Sequence, residues 1–175
     1  MKTVLCYGDS NTWGYDPRDP MDARYPLPWP ALLGEGYQAV NLGENGRMLP
    51  DSPRALALLD QAIHRWQPDI LTLLLGTNDL LQGRSPQAMG DTMEALLDHL
   101  SGRPLLVMGL PPVAIAGFQG LRDQVNSLYC SLARQRNLAY LDLSALALAW
   151  DGVHLTEESH RLLGRMVRLS LEELP

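Results

Sequence analysis

Clusters of basic residues, paired cysteines and long apolar runs are all missing from this sequence, and each absence removes a class of function. The 14 lysines and arginines are scattered along 175 residues and outnumbered by 20 acids, for a formal charge of −6 and a pI near 5.1. Binding a phosphate backbone by counterion release needs clustered Lys and Arg, so no nucleic-acid partner is expected. Of the two cysteines, Cys6 lies in an apolar run and Cys130 in a helical pattern, and neither has CxxC or Cys/His spacing. Free cysteine packs as a small apolar side chain, so both are read as reduced core thiols, and neither a disulfide nor a metal site is expected. No stretch approaches the roughly eighteen uninterrupted apolar residues of a spanning helix. The run after Met1 ends at Gly8, too short for a signal-peptide core. No membrane span and a cytoplasmic location are therefore the expectation.

What remains is a chain that is 46% apolar and 19% charged, enough to bury one core, and residues 1–175 are read as a single domain. Five short apolar runs predict strands: Val4 to Tyr7, Gln38 to Leu42, Asp69 to Leu75, Pro104 to Met108 and Leu138 to Leu141. Runs apolar on both faces fit a parallel sheet covered by helices. Ser52-Pro53 and Ser85-Pro86 each place a capping hydroxyl before a proline at the first helical position. Leu56, Leu59, Ile63 and Trp66 follow the first at helical spacing; Met89, Met93, Leu96, Leu97 and Leu100 follow the second. Leu121, Val125, Leu128 and Leu132 predict a further buried stripe, and Thr156 caps a last helix opening with Glu157 and Glu158, acids favoured beside the helix dipole. The alternation of strand and helix predicts an α/β fold of three layers, with a five-stranded parallel sheet in the flavodoxin-like order 2-1-3-4-5. The segment from Tyr15 to Pro30, with five prolines, reads as a long loop shaping a site.

Ligands in such a fold bind outside the carboxyl ends of the strands. Four polar clusters fall there: Gly8 to Gly14, Asn41 to Gly46, Gly76 to Asp79 and, after a short excursion, Asp151 to His154. Together they hold the parts of an acyl-transfer site. A serine hydroxyl needs a base, and the base needs a carboxylate to fix its tautomer. Ser10 supplies the candidate nucleophile, His154 the base and Asp151 the orienting acid, three residues away across a turn eased by Gly152. A tetrahedral intermediate needs fixed donors for its oxyanion, and the amides of Ser10 and Gly46 and the Asn78 side chain are the candidates. Ser10 alone reads equally as a helix cap; the other clusters tip the reading. Asp142 is a rival partner for His154. Asp9 is read as a turn residue and Asp79 as holding its own loop. His64, His99 and His160 are read as ordinary helix residues lacking a suitably placed carboxylate. Trp13 and Val153 are candidate substrate-binding residues, with Met48, Leu49, Pro111 and Ile115 as further lining; Arg47 is read as a solvated surface residue.

Gly8-Asp9-Ser10, Gly46, Gly76-Thr77-Asn78-Asp79 and Asp151-x-x-His154 resemble, in order, the four blocks of the SGNH/GDSL hydrolases, and the resemblance spans residues 4 to 160. The stretch Gly8-Asp9-Ser10-Asn11-Thr12-Trp13-Gly14 is similar to the bacterial arylesterase and acyltransferase branch. The resemblance implies a carboxylic ester hydrolase working without cofactor or metal on a small-molecule ester through an acyl-Ser10 intermediate. Carbohydrate O-acetyl esters, thioesters and lysophospholipids are alternative substrates on the same site. Asn11 departs from the leucine of the GDSL name, at a position read as chemically silent. The short Gly109 to Gly120 segment, where branch members with a longer insertion make oligomer contacts, implies a monomer or small homo-oligomer. From another class, glycine-rich turns at helix N-termini also suit a non-catalytic anion-binding module, which would have no need of the Asp151/His154 pair.

Overall fold

Five parallel strands carry the architecture: β1 (Lys2–Gly8), β2 (Tyr37–Gly43), β3 (Ile70–Leu74), β4 (Leu105–Met108) and β5 (Ala139–Leu141), in the order β2-β1-β3-β4-β5. The computed structural model describes residues 1–19, 21 and 23–174. The predicted loop from Tyr15 to Pro30 includes Pro20 and Asp22, which lie outside the described residues.

Side chains alternate across the strands and feed two cores. Leu5, Tyr7, Leu71, Leu73, Leu105 and Val107 pack under α2 (Pro53–Trp66), α4 (Pro86–His99) and α5 (Gln119–Gln135). Val4, Cys6, Ile70, Leu74, Leu106 and Met108 face the other side, under α6 (Glu157–Glu172) and a 3-10 turn at Trp29–Leu32. Each fully buried leucine contributes about 1.5–3 kcal/mol. Ser52, Ser85 and Thr156 cap α2, α4 and α6, accepting from the amides of Ala55, Ala88 and Ser159. Cys6 and Cys130 are free, and burial pushes the Cys6 thiol up to about 12. Among the described residues no helix is long and apolar enough to cross a membrane.

The structure departs from the sequence expectation in two places. The link from β1 to β2 contains a one-turn helix, α1 (Ser10–Trp13), and the 3-10 turn rather than a full crossover helix. The buried face of α5 is Arg122, Val125, Asn126, Tyr129 and Ala133; of the predicted stripe Val125 is buried, Leu128 and Leu132 are half-buried and Leu121 is exposed. The two polar residues on that face have a partner in the backbone. The backbone of Leu110, just past β4, has a donor and an acceptor buried away from water. The Asn126 Oδ1 accepts from the Leu110 amide at 2.7 Å, while Asn126 Nδ2 (3.1 Å) and Arg122 Nη2 (2.7 Å) donate to the Leu110 carbonyl. Leaving such groups unpaired costs about 1–3 kcal/mol each, which favours keeping Arg122 and Asn126 on the buried face.

Candidate active site

The sheet order sets β1 between β2 and β3, with Gly8 level with Gly43 on one side and Leu74 on the other. The chain therefore leaves three adjacent strands at one edge, where the order changes direction. Asp9 caps α1, its carboxylate accepting from the Asn11 amide at 2.9 Å, and presents Ser10 as the first helical residue. That turn lies directly on the end of β2: a Cβ on Gly43 would stand 2.0 Å from the Trp13 nitrogen.

The Ser10 hydroxyl, 8% exposed, lies 3.0 Å from His154 Nε2. On the far side of the ring, His154 Nδ1 lies 2.5 Å from Asp151 Oδ2. A carboxylate at Nδ1 holds the proton there and leaves Nε2 as the acceptor facing Ser10. The other carboxylate oxygen, Oδ1, accepts from the amides of Val153 and His154, both at 3.0 Å, and Gly152 makes the turn with φ +72°. Burial alone raises the Asp151 carboxyl, but hydrogen bonds from the His154 ring, its amide and that of Val153 outweigh it and hold the pKa below its ordinary value. Asp142 instead accepts from the amide and hydroxyl of Ser144, so the structure gives the rival acid other work.

Asn78 opens α3 (Thr77–Leu81), the short helix after β3, and its Nδ2 donates to the Arg47 carbonyl at 2.9 Å. One of its two N–H groups is thus spent on fixing the Gly46 turn beside it, and among the described residues the other has no protein acceptor. Gly46 has φ +80°, and a Cβ there would meet no protein atom within 4 Å; the glycine is required by the backbone, not by protein crowding. Among the described residues no protein acceptor takes the amides of Ser10 or Gly46. These three donors follow β1, β2 and β3, which are neighbours in the sheet. For an Asn78 that donates to the oxyanion, Asn78→Ala is expected to lower kcat about 10²–10³-fold, with far less effect on KM. Steady-state hydrolysis of p-nitrophenyl acetate beside a thermal melt measures it.

Several side chains do more than the sequence suggested. Arg47 is no solvated residue: its guanidinium donates to the carbonyls of Gly8 and Leu42, pairs with Glu44 at 2.6 Å and lies over the Tyr7 ring. It ties the Gly46 turn to the end of β1. Asp79, fully buried, reaches beyond its own loop, accepting from the Leu49 amide and from Arg84. Asn11 is not silent either: its side chain donates to the Val153 carbonyl and accepts from the Leu155 amide. Tyr15, at the start of the loop predicted to shape a site, packs on His154 with ring centroids 4.5 Å apart. Trp13 lies beneath the Arg24 guanidinium, and Val153 enters the site through its backbone. Met48 and Leu49 line a hollow of about 430 Å³ against α2, with Tyr7 and Leu58. Trp150, beside Asp151, is 80% exposed and donates its indole N–H to the Pro17 carbonyl. His99 does have a carboxylate partner, Asp60 at 2.8 Å, on the neighbouring helix. His160 is buried, and burial pushes its pKa down to about 4. Among the described residues no group of three or more His, Cys, Asp or Glu is placed to hold a metal ion.

Asp9 is wholly buried, and burial pushes its carboxyl from 3.8 up to about 7. Between those values the folded chain holds a proton that the unfolded chain has lost, so stability falls as pH rises through that window. Asp9→Asn keeps an oxygen for the Asn11 amide and removes the charge. The melting temperature of this variant is expected to vary less between those two pH values and to exceed that of wild type above them. Unchanged slopes in a series of melts against pH would contradict this.

Comparison with known proteins gives a consistent result. Residues 6–162 match the GDSL-like Lipase/Acylhydrolase family. The chain is 26% identical to the Thioesterase 1/protease 1/lysophospholipase L1 of Escherichia coli K12, over 98% of this chain and 84% of that protein. A carbohydrate acetylesterase family member from Sinorhizobium meliloti is 29% identical, with a TM-score of 0.82 over 98% of this chain and 100% of the other. An aryl esterase of M. smegmatis shares the fold at a TM-score of 0.86 and 23% identity, over the whole of both chains.

Proposed function

Since the chain belongs to the GDSL-like lipase/acylhydrolase family and is thereby a carboxylic ester hydrolase, we propose that it cleaves small carboxylic esters through an acyl intermediate on Ser10. One observation carries this reading: the unbroken line from the Ser10 hydroxyl through His154 to Asp151, with contacts of 3.0 and 2.5 Å. His154 Nε2 takes the hydroxyl proton as Ser10 Oγ attacks the ester carbonyl. The charge that develops on the carbonyl oxygen is met by the amides of Ser10 and Gly46 and by Asn78. Collapse of the tetrahedral intermediate expels the alcohol, which leaves with the proton from His154. Water, deprotonated by the same nitrogen, then releases the acid and restores the hydroxyl. Asp151 keeps its charge throughout, orients the ring and stabilises the imidazolium.

Tyr15 on one face of His154 and the exposed Trp150 beside Asp151 put aromatic surface at the rim, which suits an aryl or other small ester. A second reading, an O-acetyl ester of a carbohydrate, is favoured by the likeness to the S. meliloti structure. The name of the E. coli relative adds thioesters and lysophospholipids to the substrates worth assaying. A chain-length series of p-nitrophenyl esters beside acetylated xylo-oligosaccharide separates these. The reaction itself is tested with a fluorophosphonate probe: covalent labelling at Ser10 is expected, and a folded protein that stays unlabelled while hydrolysing esters overturns the acyl-Ser10 route.

A further inference from the structure

The line from Ser10 to Asp151 consists of two pieces that come from opposite ends of the chain. Asp151, Val153 and His154 form one piece, closed on itself by the three bonds to the Asp151 carboxylate. This piece is also held from behind, where the Ala149 amide donates to the His154 carbonyl and Leu148 bridges Leu155. Those anchors run to residues 147–149, and the Ala114 amide holds the Gly152 carbonyl at 2.8 Å; none of these bonds reaches the turn that carries Ser10.

We propose that Asn11 is a positioning residue that seats the His154 piece against the nucleophile. It follows Ser10 directly, is 2% exposed, and has its own amide fixed to Asp9 at 2.9 Å. Its side chain spans His154 from both sides: Nδ2 donates to the Val153 carbonyl at 3.2 Å, and Oδ1 accepts from the Leu155 amide at 2.9 Å. Only a short planar amide offers one donor and one acceptor across that span. Leucine offers neither, aspartate lacks the donor, and glutamine is a methylene too long. Because Asn11 shares a helical turn with Ser10, any shift of the base piece must break these bonds before it lengthens the contact from Ser10 to His154.

The inference rests on Ser10 and His154 acting as nucleophile and base, and the experiment separates the two claims. Wild type, Asn11→Leu, Asn11→Ala and Ser10→Ala are compared on p-nitrophenyl acetate for kcat, KM and pH profile, with thermal melts and rates of fluorophosphonate labelling. Both Asn11 variants are expected to lose about 10²-fold in kcat, the scale of a misplacement near 1 Å, with labelling slowed in parallel and KM unchanged. The midpoint of the acidic limb stays where it is in wild type, because the Asp151–His154 pairing is closed within its own loop. A kcat indistinguishable from wild type overturns the proposal, as does a loss that arrives with a displaced acidic limb. Failure of both Asn11 variants to fold also overturns it, in favour of a purely structural role. Full activity of Ser10→Ala overturns the underlying reading instead.

Discussion

Ser10→Ala is expected to lower kcat on p-nitrophenyl acetate by as much as the assay can register, on the order of 10⁶-fold for a relay of this kind, and His154→Ala by a similar amount. The reason is that the two side chains carry out one event. With Ser10 gone there is no oxygen to acylate. With His154 gone the hydroxyl keeps its proton, since the Ser10 Oγ has its 3.0 Å contact with that ring. Residues that act as a unit are not additive, so the double variant is expected to be no slower than either single one. What survives in all three is the catalysis of the remaining donors, the amides of Ser10 and Gly46 and the Asn78 side chain, acting on attack by water. If the double variant loses the product of the two single effects, nucleophile and base are not coupled through one proton, and the relay is wrong. Substantial turnover by Ser10→Ala alone would remove the acyl-enzyme altogether.

Much of the fold was legible because it is written in local patterns. The apolar runs of β1 and β3 alternate into two cores, so they need helices on both faces, and the serine and threonine caps at 52, 85 and 156 mark where helices begin. The order of strands followed from the few right-handed topologies open to such a chain. Two short helices have no visible extent in the sequence. α1 has four residues and α3 five, less than the span over which helical periodicity can be recognised. These are the helices that carry Ser10 and Asn78. The face of α5 is only partly visible as a stripe, because a hydrophobic stripe is counted from apolar residues, whereas here Arg122 and Asn126 share the buried face with Val125 and bond the backbone of Leu110.

The site was legible in its residue types and order, and much less so in its supports. Ser10, Gly46 and Asn78 each follow closely on a strand end, and Asp151 and His154 follow β5 after an excursion, so a prediction of strands brings the first three to one edge and leaves the last two to the motif. Asn11, Arg47 and Tyr15 work through contacts with partners far along the chain: Asn11 with Val153 and Leu155, Tyr15 with His154, Arg47 with Gly8. A bond from a side chain to a distant backbone atom leaves no period and no motif in one sequence. The nearest signal was the departure from the family name at Asn11, a polar residue where leucine is customary, directly after the nucleophile. A polar residue placed there will be buried, and a buried amide requires partners.

Asp151→Asn isolates what the carboxylate does, because the change is nearly isosteric. The asparagine Oδ1 still accepts from the amides of Val153 and His154, so the turn through Gly152 survives. The other terminus changes from acceptor to donor, and it faces His154 Nδ1 at 2.5 Å in the parent protein. An N–H there repels an Nδ1–H and favours the tautomer with its proton on Nε2. That proton then points at Ser10 Oγ, and the ring can no longer accept from the hydroxyl. The expected loss in kcat is on the order of 10⁴-fold, with KM and melting temperature close to those of wild type. Asp151→Ala provides the contrast: it removes the forced tautomer but also the acceptor for two amides, so it is expected to lower the melting temperature as well as activity. A variant Asp151→Asn that keeps most of its activity would show that His154 needs neither charge nor a fixed tautomer from residue 151, and would return Asp142 to consideration as the orienting acid.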